Sequence, residues 1–163
     1  MNIQLLALRE AVLAISSDLS LAETLKHIVK AAAQLADAQY AALGVPDEAG
    51  ETLVEFVTSG MTAEEESVIS HRPRGHGILG IVLHEGRTLR LSSIRQHPRS
   101  VGFPPNHPAM TRFLGVPIVH KGKQLGNLYL TNKLSGGEFT ESDQAIIELL
   151  ASHAANAIQS ARL

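Results

Sequence analysis

The chain contains no cysteine and no tryptophan, and only four phenylalanines and two tyrosines. Without cysteine there is no disulfide, no thiolate nucleophile, no thioether-linked cofactor and no cysteine-ligated metal. Its absence is compatible with a reducing compartment, and a cytoplasmic protein is expected. Lysine and arginine form no run, and the formal net charge is −2. A nucleic-acid binder would instead carry a basic patch to neutralise phosphates, so no nucleic-acid partner is expected. No apolar run approaches the ~18–20 residues that a membrane span needs, and no membrane partner is expected. Met1-Asn2-Ile3-Gln4 has no basic segment leading into an apolar core, so no signal peptide is expected. There is no Gly-x-Ser-x-Gly motif and no convincing carboxylate pair, and the chain is not expected to be an enzyme.

What is present suits one domain spanning 1–163 with a proper core: 163 residues, 44% hydrophobic and 18% charged. Eight histidines in so small a domain direct attention to imidazole chemistry.

Leu5, Leu8, Val12, Ile15 and Leu19 recur at three- and four-residue steps and predict an amphipathic helix over 4–18. Ser20-Leu21-Ala22-Glu23 reads as a capping box opening a second helix, with Leu21, Leu25, Ile28, Val29, Ala32 and Leu35 inward. Ala38 to Val45 and Thr52 to Thr58 predict a strand pair around the turn cluster 46–50. Thr62-Ala63-Glu64-Glu65 predicts a short helix to about Ser70, Ile78 to His84 another, and Thr88 to Leu91 a short strand. Residues 92–110 carry Pro98, Pro104, Pro105 and Pro108 with no clean period; a loop of this length in a compact domain is usually functional. Phe113 to His120 and Gln124 to Thr131 form a hairpin about Lys121-Gly122-Lys123. Thr140-Glu141-Ser142-Asp143 caps a closing helix over 140–162, with Ile146, Leu149, Leu150, His153, Ala157 and Ile158 expected inward. Hairpin-linked strands between terminal helices imply an α+β fold with an antiparallel sheet.

Gly75-His76-Gly77-Ile78-Leu79-Gly80 satisfies G-x-G-x-x-G. It follows Arg72-Pro73-Arg74 rather than a strand, so it reads as a tight lead into the Ile78 helix and not as a dinucleotide fingerprint. His76, His84 and His97 lie near it without zinc-ligand spacing.

Phe113-Leu114-Gly115-Val116-Pro117-Ile118, Leu125-Gly126-Asn127-Leu128-Tyr129-Leu130, Asn132-Lys133, Phe139-Thr140 and Asp143, in this element order, resemble a GAF domain from about Leu19 onward. The resemblance implies a central antiparallel sheet, N- and C-terminal helices packed on one face, and a ligand pocket of loops and short helices on the other. Pro98 to Met110 running into Phe113-Leu114-Gly115-Val116-Pro117 is similar, more narrowly, to the first GAF domain of haem-containing sensor histidine kinases of the DevS/DosT type. That resemblance implies haem b as cofactor and His107 as axial ligand to its iron. It also implies that Tyr129, 22 positions later, is a distal tyrosine. The expected function is then sensing of a diatomic gas (O2, NO or CO) or of redox state, relayed to an output histidine kinase or partner. The expected assembly is a homodimer through the terminal helices.

Residue type alone leaves alternatives open. His107, between Asn106 and Pro108, is restricted to extended backbone, but a polar residue in an exposed proline-rich loop meets the same description. Tyr129 shares a strand face with Asn127, opposite Leu128 and Leu130, and offers one O–H; a core tyrosine would do the same. Candidate pocket walls are Ile78, Leu79, Val82, Leu91, Phe103, Met110, Phe113 and Leu114, any of which also suits the core. Arg72 and Arg74 are candidates for haem propionates or plain solvated residues. Asn132-Lys133…Phe139…Asp143-Gln144 also resembles the NKFDE pattern of cyclic-nucleotide GAF domains, with glutamine for the last glutamate. Another small molecule, or no ligand at all in a dimerisation module, therefore stands beside haem. Methionine sulfoxide reduction by GAF proteins needs thiols, which this chain lacks.

Overall fold

The computed structural model describes residues 20–47, 53–60, 62, 87–91 and 112–161. Within them the order is α1 (Leu21–Leu35), β1 (Ala38–Pro46), β2 (Leu53–Ser59), β3 (Leu89–Leu91), β4 (Phe113–His120), β5 (Lys123–Lys133) and α2 (Glu141–Ala161). The expected helices at 4–18 and 78–84, that at 62–70 beyond its first residue, and the loop at 92–110 lie outside the described residues.

Ser20 caps α1 as its sequence implies, its hydroxyl accepting the Glu23 N–H at 3.2 Å. The Glu23 carboxylate meets that hydroxyl at 3.0 Å, a variant of the reciprocal contact expected of a capping box. Leu25, Ile28, Val29, Ala32 and Leu35 are buried as predicted, while Leu21 is only partly so. Asp37 then turns the chain with φ of 55°, and its carbonyl accepts the Leu134 N–H at 2.7 Å, tying the end of β5 to the start of β1.

The sheet is antiparallel throughout, in the order β2-β1-β5-β4-β3. The β4–β5 hairpin closes on Lys121 and Gly122, with φ of 49° and 80°. Two positive φ values suit the twist of a two-residue hairpin turn. Both helices pack on one face of the sheet. The core between them holds Leu43, Leu114, Val116, Ile118, Leu128 and Leu130 from the strands, with Leu25, Ile28, Ile147, Leu150 and Ile158 from the helices. The predicted architecture, α+β with helices on one side of an antiparallel sheet, is the one observed.

The buried stripe of α2 differs from the one expected. It runs through Asp143, Ile147, Leu150, Ala151, Ala154, Ala155 and Ile158. Ile146, His153 and Ala157 are only partly buried, and Leu149 is 46% exposed. The alanines decide the orientation, because their small side chains let the helix lie close to the sheet where larger residues would hold it off. No helix among the described residues is long and apolar enough to cross a membrane.

Candidate functional site

Strand alternation sends every second residue to the face opposite the helices. On that face Tyr129 of β5 stands between Ala42 of β1 and Gly115 of β4. One step along, Thr131 stands between Tyr40 and Phe113, with Leu91 of β3 beyond Phe113. One step the other way, Asn127 stands between Gly44 and Pro117. None of these side chains is acidic or basic. The two residues flanking Tyr129 in the sheet, Ala42 and Gly115, are among the smallest available.

The Phe113 and Tyr129 rings are 6.0 Å apart between centroids at an interplanar angle of 37°, within the usual range for an aromatic pair. Phe113 is 2% exposed although it lies outside the core beneath the helices. Tyr129 keeps some solvent-accessible surface, yet its phenol is desolvated, and burial pushes its ionisation well above the ordinary tyrosine range. It therefore stays protonated and able to donate at any physiological pH. Asn127 is buried, and its Oδ1 accepts from Gln124 Nε2 at 2.6 Å. Thr131 is buried too, but its Oγ1 has no hydrogen-bond partner.

The residues singled out in sequence divide clearly. Tyr129, Phe113 and Leu91 share this face. Leu114 does not: it pairs with Leu130 in the core beneath the helices, on the face opposite Tyr129. Alternation alone separates Leu114 from its neighbour Phe113 and would have excluded it. His107, Ile78, Leu79, Val82, Phe103 and Met110 lie outside the described residues, as do Arg72, Arg74, His76, His84 and His97. The small flanking residues Ala42 and Gly115, and the unpaired Thr131 hydroxyl, were not identified from sequence. The same period-2 rule, applied across all three strands, would have found the first two.

The Asn132-Lys133…Phe139…Asp143 pattern is a structural joint. Lys133 Nζ contacts Asp143 Oδ2 at 2.5 Å, and the same oxygen accepts the Thr140 N–H at 2.8 Å. Thr140 Oγ1 accepts the Asp143 N–H at 3.1 Å, completing a reciprocal cap on α2. Phe139 is buried in the core beside this cap. The Lys133 and Asp143 charges thus serve each other.

Comparison with known proteins agrees with this architecture. The GAF domain of a phosphoenolpyruvate-protein phosphotransferase from Coxiella burnetii superposes with a TM-score of 0.83 at 25% identity, over 98% of this chain and 94% of that one. The corresponding domain from Acinetobacter gives 0.80 at 24% identity, over 99% and 96%. The free methionine-R-sulfoxide reductase of Neisseria meningitidis, solved in complex with its substrate, shares the fold with a TM-score of 0.75 at 15% identity, over 99% and 93%. The GAF domain family profile matches residues 18–159, most of the chain, and the chain belongs to that family.

Proposed function

We propose that this GAF domain is a haem b sensor, with the haem held against the Tyr129 face of the sheet and His107 as axial ligand. The observation that carries this reading is the setting of Tyr129, the residue that the sequence resemblance pairs with His107. It stands mid-sheet between Ala42 and Gly115, with Phe113 alongside and its phenol desolvated by burial, which raises its ionisation above the ordinary tyrosine range. An uncharged, largely apolar face with a few placed hydrogen-bonding groups suits a macrocycle that needs a dry slot. When bound, haem supplies an iron site that takes a diatomic gas or changes oxidation state.

In this reading His107, whose backbone Pro108 restricts to extended conformations, supplies the imidazole. Tyr129 donates its O–H to the gas, directly or through water, and so biases selection among O2, NO and CO. Leu91 and Phe113 line the slot, with Ile78, Leu79, Val82, Phe103 and Met110 as its further walls; Leu114 is omitted because it faces the helices. The strand bearing Tyr129 ends at Lys133, which holds Asp143 at the start of α2. A shift of β5 would therefore be felt at α2, and through pairing of the terminal helices in a homodimer, by an output histidine kinase or partner. The partly buried Ile146 and exposed Leu149 of α2 offer apolar surface for that pairing. The reading places the domain, 1–163, in the cytoplasm, with regulation and not catalysis as its role.

Titration of the purified protein with hemin tests it. A Soret band saturating at one haem per chain is expected, and His107→Ala is expected to lose or shift it. Absence of the band in the wild type, or unchanged haem retention and Soret position in His107→Ala, would refute the assignment and leave a nucleotide-like ligand or a ligand-free dimerisation module as the reading.

A further inference from the structure

A buried hydroxyl on the Tyr129 face has no hydrogen-bond partner in the fold. Thr131 is 5% exposed, and its Oγ1 is, among the described residues, the one buried side-chain oxygen or nitrogen without a hydrogen-bond partner. It lies two residues beyond Tyr129 on the same face, flanked by Tyr40 on β1 and Phe113 on β4. A buried hydroxyl without a partner bears the full penalty of desolvation. Valine has the same branched shape, suits a strand equally well and bears no such penalty. The hydroxyl is therefore costly to the empty domain and finds its use when something polar is set beside it.

We propose that Thr131 contacts ligand: its hydroxyl hydrogen-bonds a neutral oxygen on the Tyr129 side of the pocket, that of the diatomic gas or of a water held next to it. The assignment rests on the haem reading above. A charged group such as a haem propionate fits this position poorly, because Thr131 is buried between Tyr40 and Phe113 and, among the described residues, neither cross-strand neighbour is basic. Tyr129 and Thr131 then form a pair of donors on one strand, and gas selectivity depends on both.

The test compares Thr131→Val, which removes the hydroxyl and keeps the shape, with Thr131→Ser, which restores it. Without haem, Thr131→Val should melt about 2–4 °C above the wild type, because an unpaired buried hydroxyl has been deleted. With haem, both variants should keep the wild-type Soret band. In Thr131→Val, O2 should dissociate about three to ten times faster, the loss of one hydrogen bond, and Thr131→Ser should recover most of the difference. A raised C–O stretching frequency in the CO adduct marks direct contact with the gas. Faster O2 loss with an unmoved C–O stretch marks the bridging water. The proposal is overturned if Thr131→Val changes neither quantity, if it loses haem, or if it fails to stabilise the haem-free domain. Failure of the wild type to show a Soret band removes the haem reading itself, an outcome separate from all of these.

Discussion

Lys133 Nζ and Asp143 Oδ2 meet at 2.5 Å across the connection between the last strand and the last helix, with little of either side chain exposed to water. Asp143 also accepts the Thr140 N–H, so one carboxylate holds strand, cap and helix together. Asp143→Ala should therefore cost more than an ordinary surface ion pair. Loss of the cap contributes about 1 kcal/mol, and the stranded Lys133 raises the total to about 2–4 kcal/mol. For a domain of this size the melting temperature should fall by about 5–12 °C. Asp143→Asn retains an acceptor for Thr140 and should fall between the two. Chemical and thermal denaturation followed by circular dichroism measures this, and an Asp143→Ala protein as stable as the wild type would show that the joint is ornamental.

The alanine stripe of α2 makes a contrasting pair of predictions. Leu149 is a large residue that is 46% exposed, whereas Ala154 is fully buried against its neighbours. Leu149→Ala should change folding stability by less than about 1 kcal/mol. Ala154→Leu inserts volume where there is none and should cost about 1–3 kcal/mol or more. The reverse order, from urea titrations of the two variants, would mean that the helix presents its other side to the sheet.

Burial of the Tyr129 phenol predicts alkaline sensitivity. Its folded-state ionisation lies above that of the unfolded chain, near pH 10, so the folded state retains a proton that the unfolded state has lost. The stability linked to this group is complete below about pH 10 and declines as pH rises from there towards the folded-state value. Tyr129→Phe should lack this part of the alkaline decline and, if the proposed haem reading holds, should keep haem bound while altering gas selectivity. Denaturation at a series of pH values, read with the phenolate absorbance of both proteins, provides the check. A wild type and Tyr129→Phe with parallel alkaline profiles would contradict the buried setting, and haem loss from the variant would mean that the ring serves packing.

Gly126 precedes this part of β5 by three residues, and a Cβ there would sit 2.6 Å from the Gly44 carbonyl oxygen. That contact is with backbone, which cannot swing aside as a side chain can. Gly126→Ala should push β1 and β5 apart, destabilise the domain by about 1–3 kcal/mol, and speed hydrogen exchange of the β1 amides. Unchanged exchange and stability would show that the strands already have slack.

Features set by neighbours in sequence were the ones legible without coordinates. The caps at Ser20 and Thr140, the hairpin at Lys121-Gly122 and the facing of Tyr129 all follow from spacing within a few residues. The Asn132-Lys133…Phe139…Asp143 pattern was visible as a family resemblance, but its role as an ion-paired joint between β5 and α2 shows only in the contact of Lys133 with Asp143. The roll of α2 was not, since ranking positions by side-chain size favours Leu149 over Ala151 and Ala154, while close approach to a sheet favours the reverse. Leu114 was placed in the pocket because its apolar character was weighed ahead of its alternation with Phe113. The unpaired Thr131 hydroxyl depends on which side chains three different strands bring together, and no local pattern encodes that.

β5 is the middle strand of five, and from Asn127 to Thr131 it alternates strictly between the two faces. A slip of one residue would bring Leu128 and Leu130 onto the opposite face and drive the Tyr129 phenol and the Thr131 hydroxyl into the oil beneath the helices. Mispairing that spoils recognition thus also wrecks the packing, so misaligned chains should be lost to unfolding or proteolysis instead of persisting as folded but blind sensors.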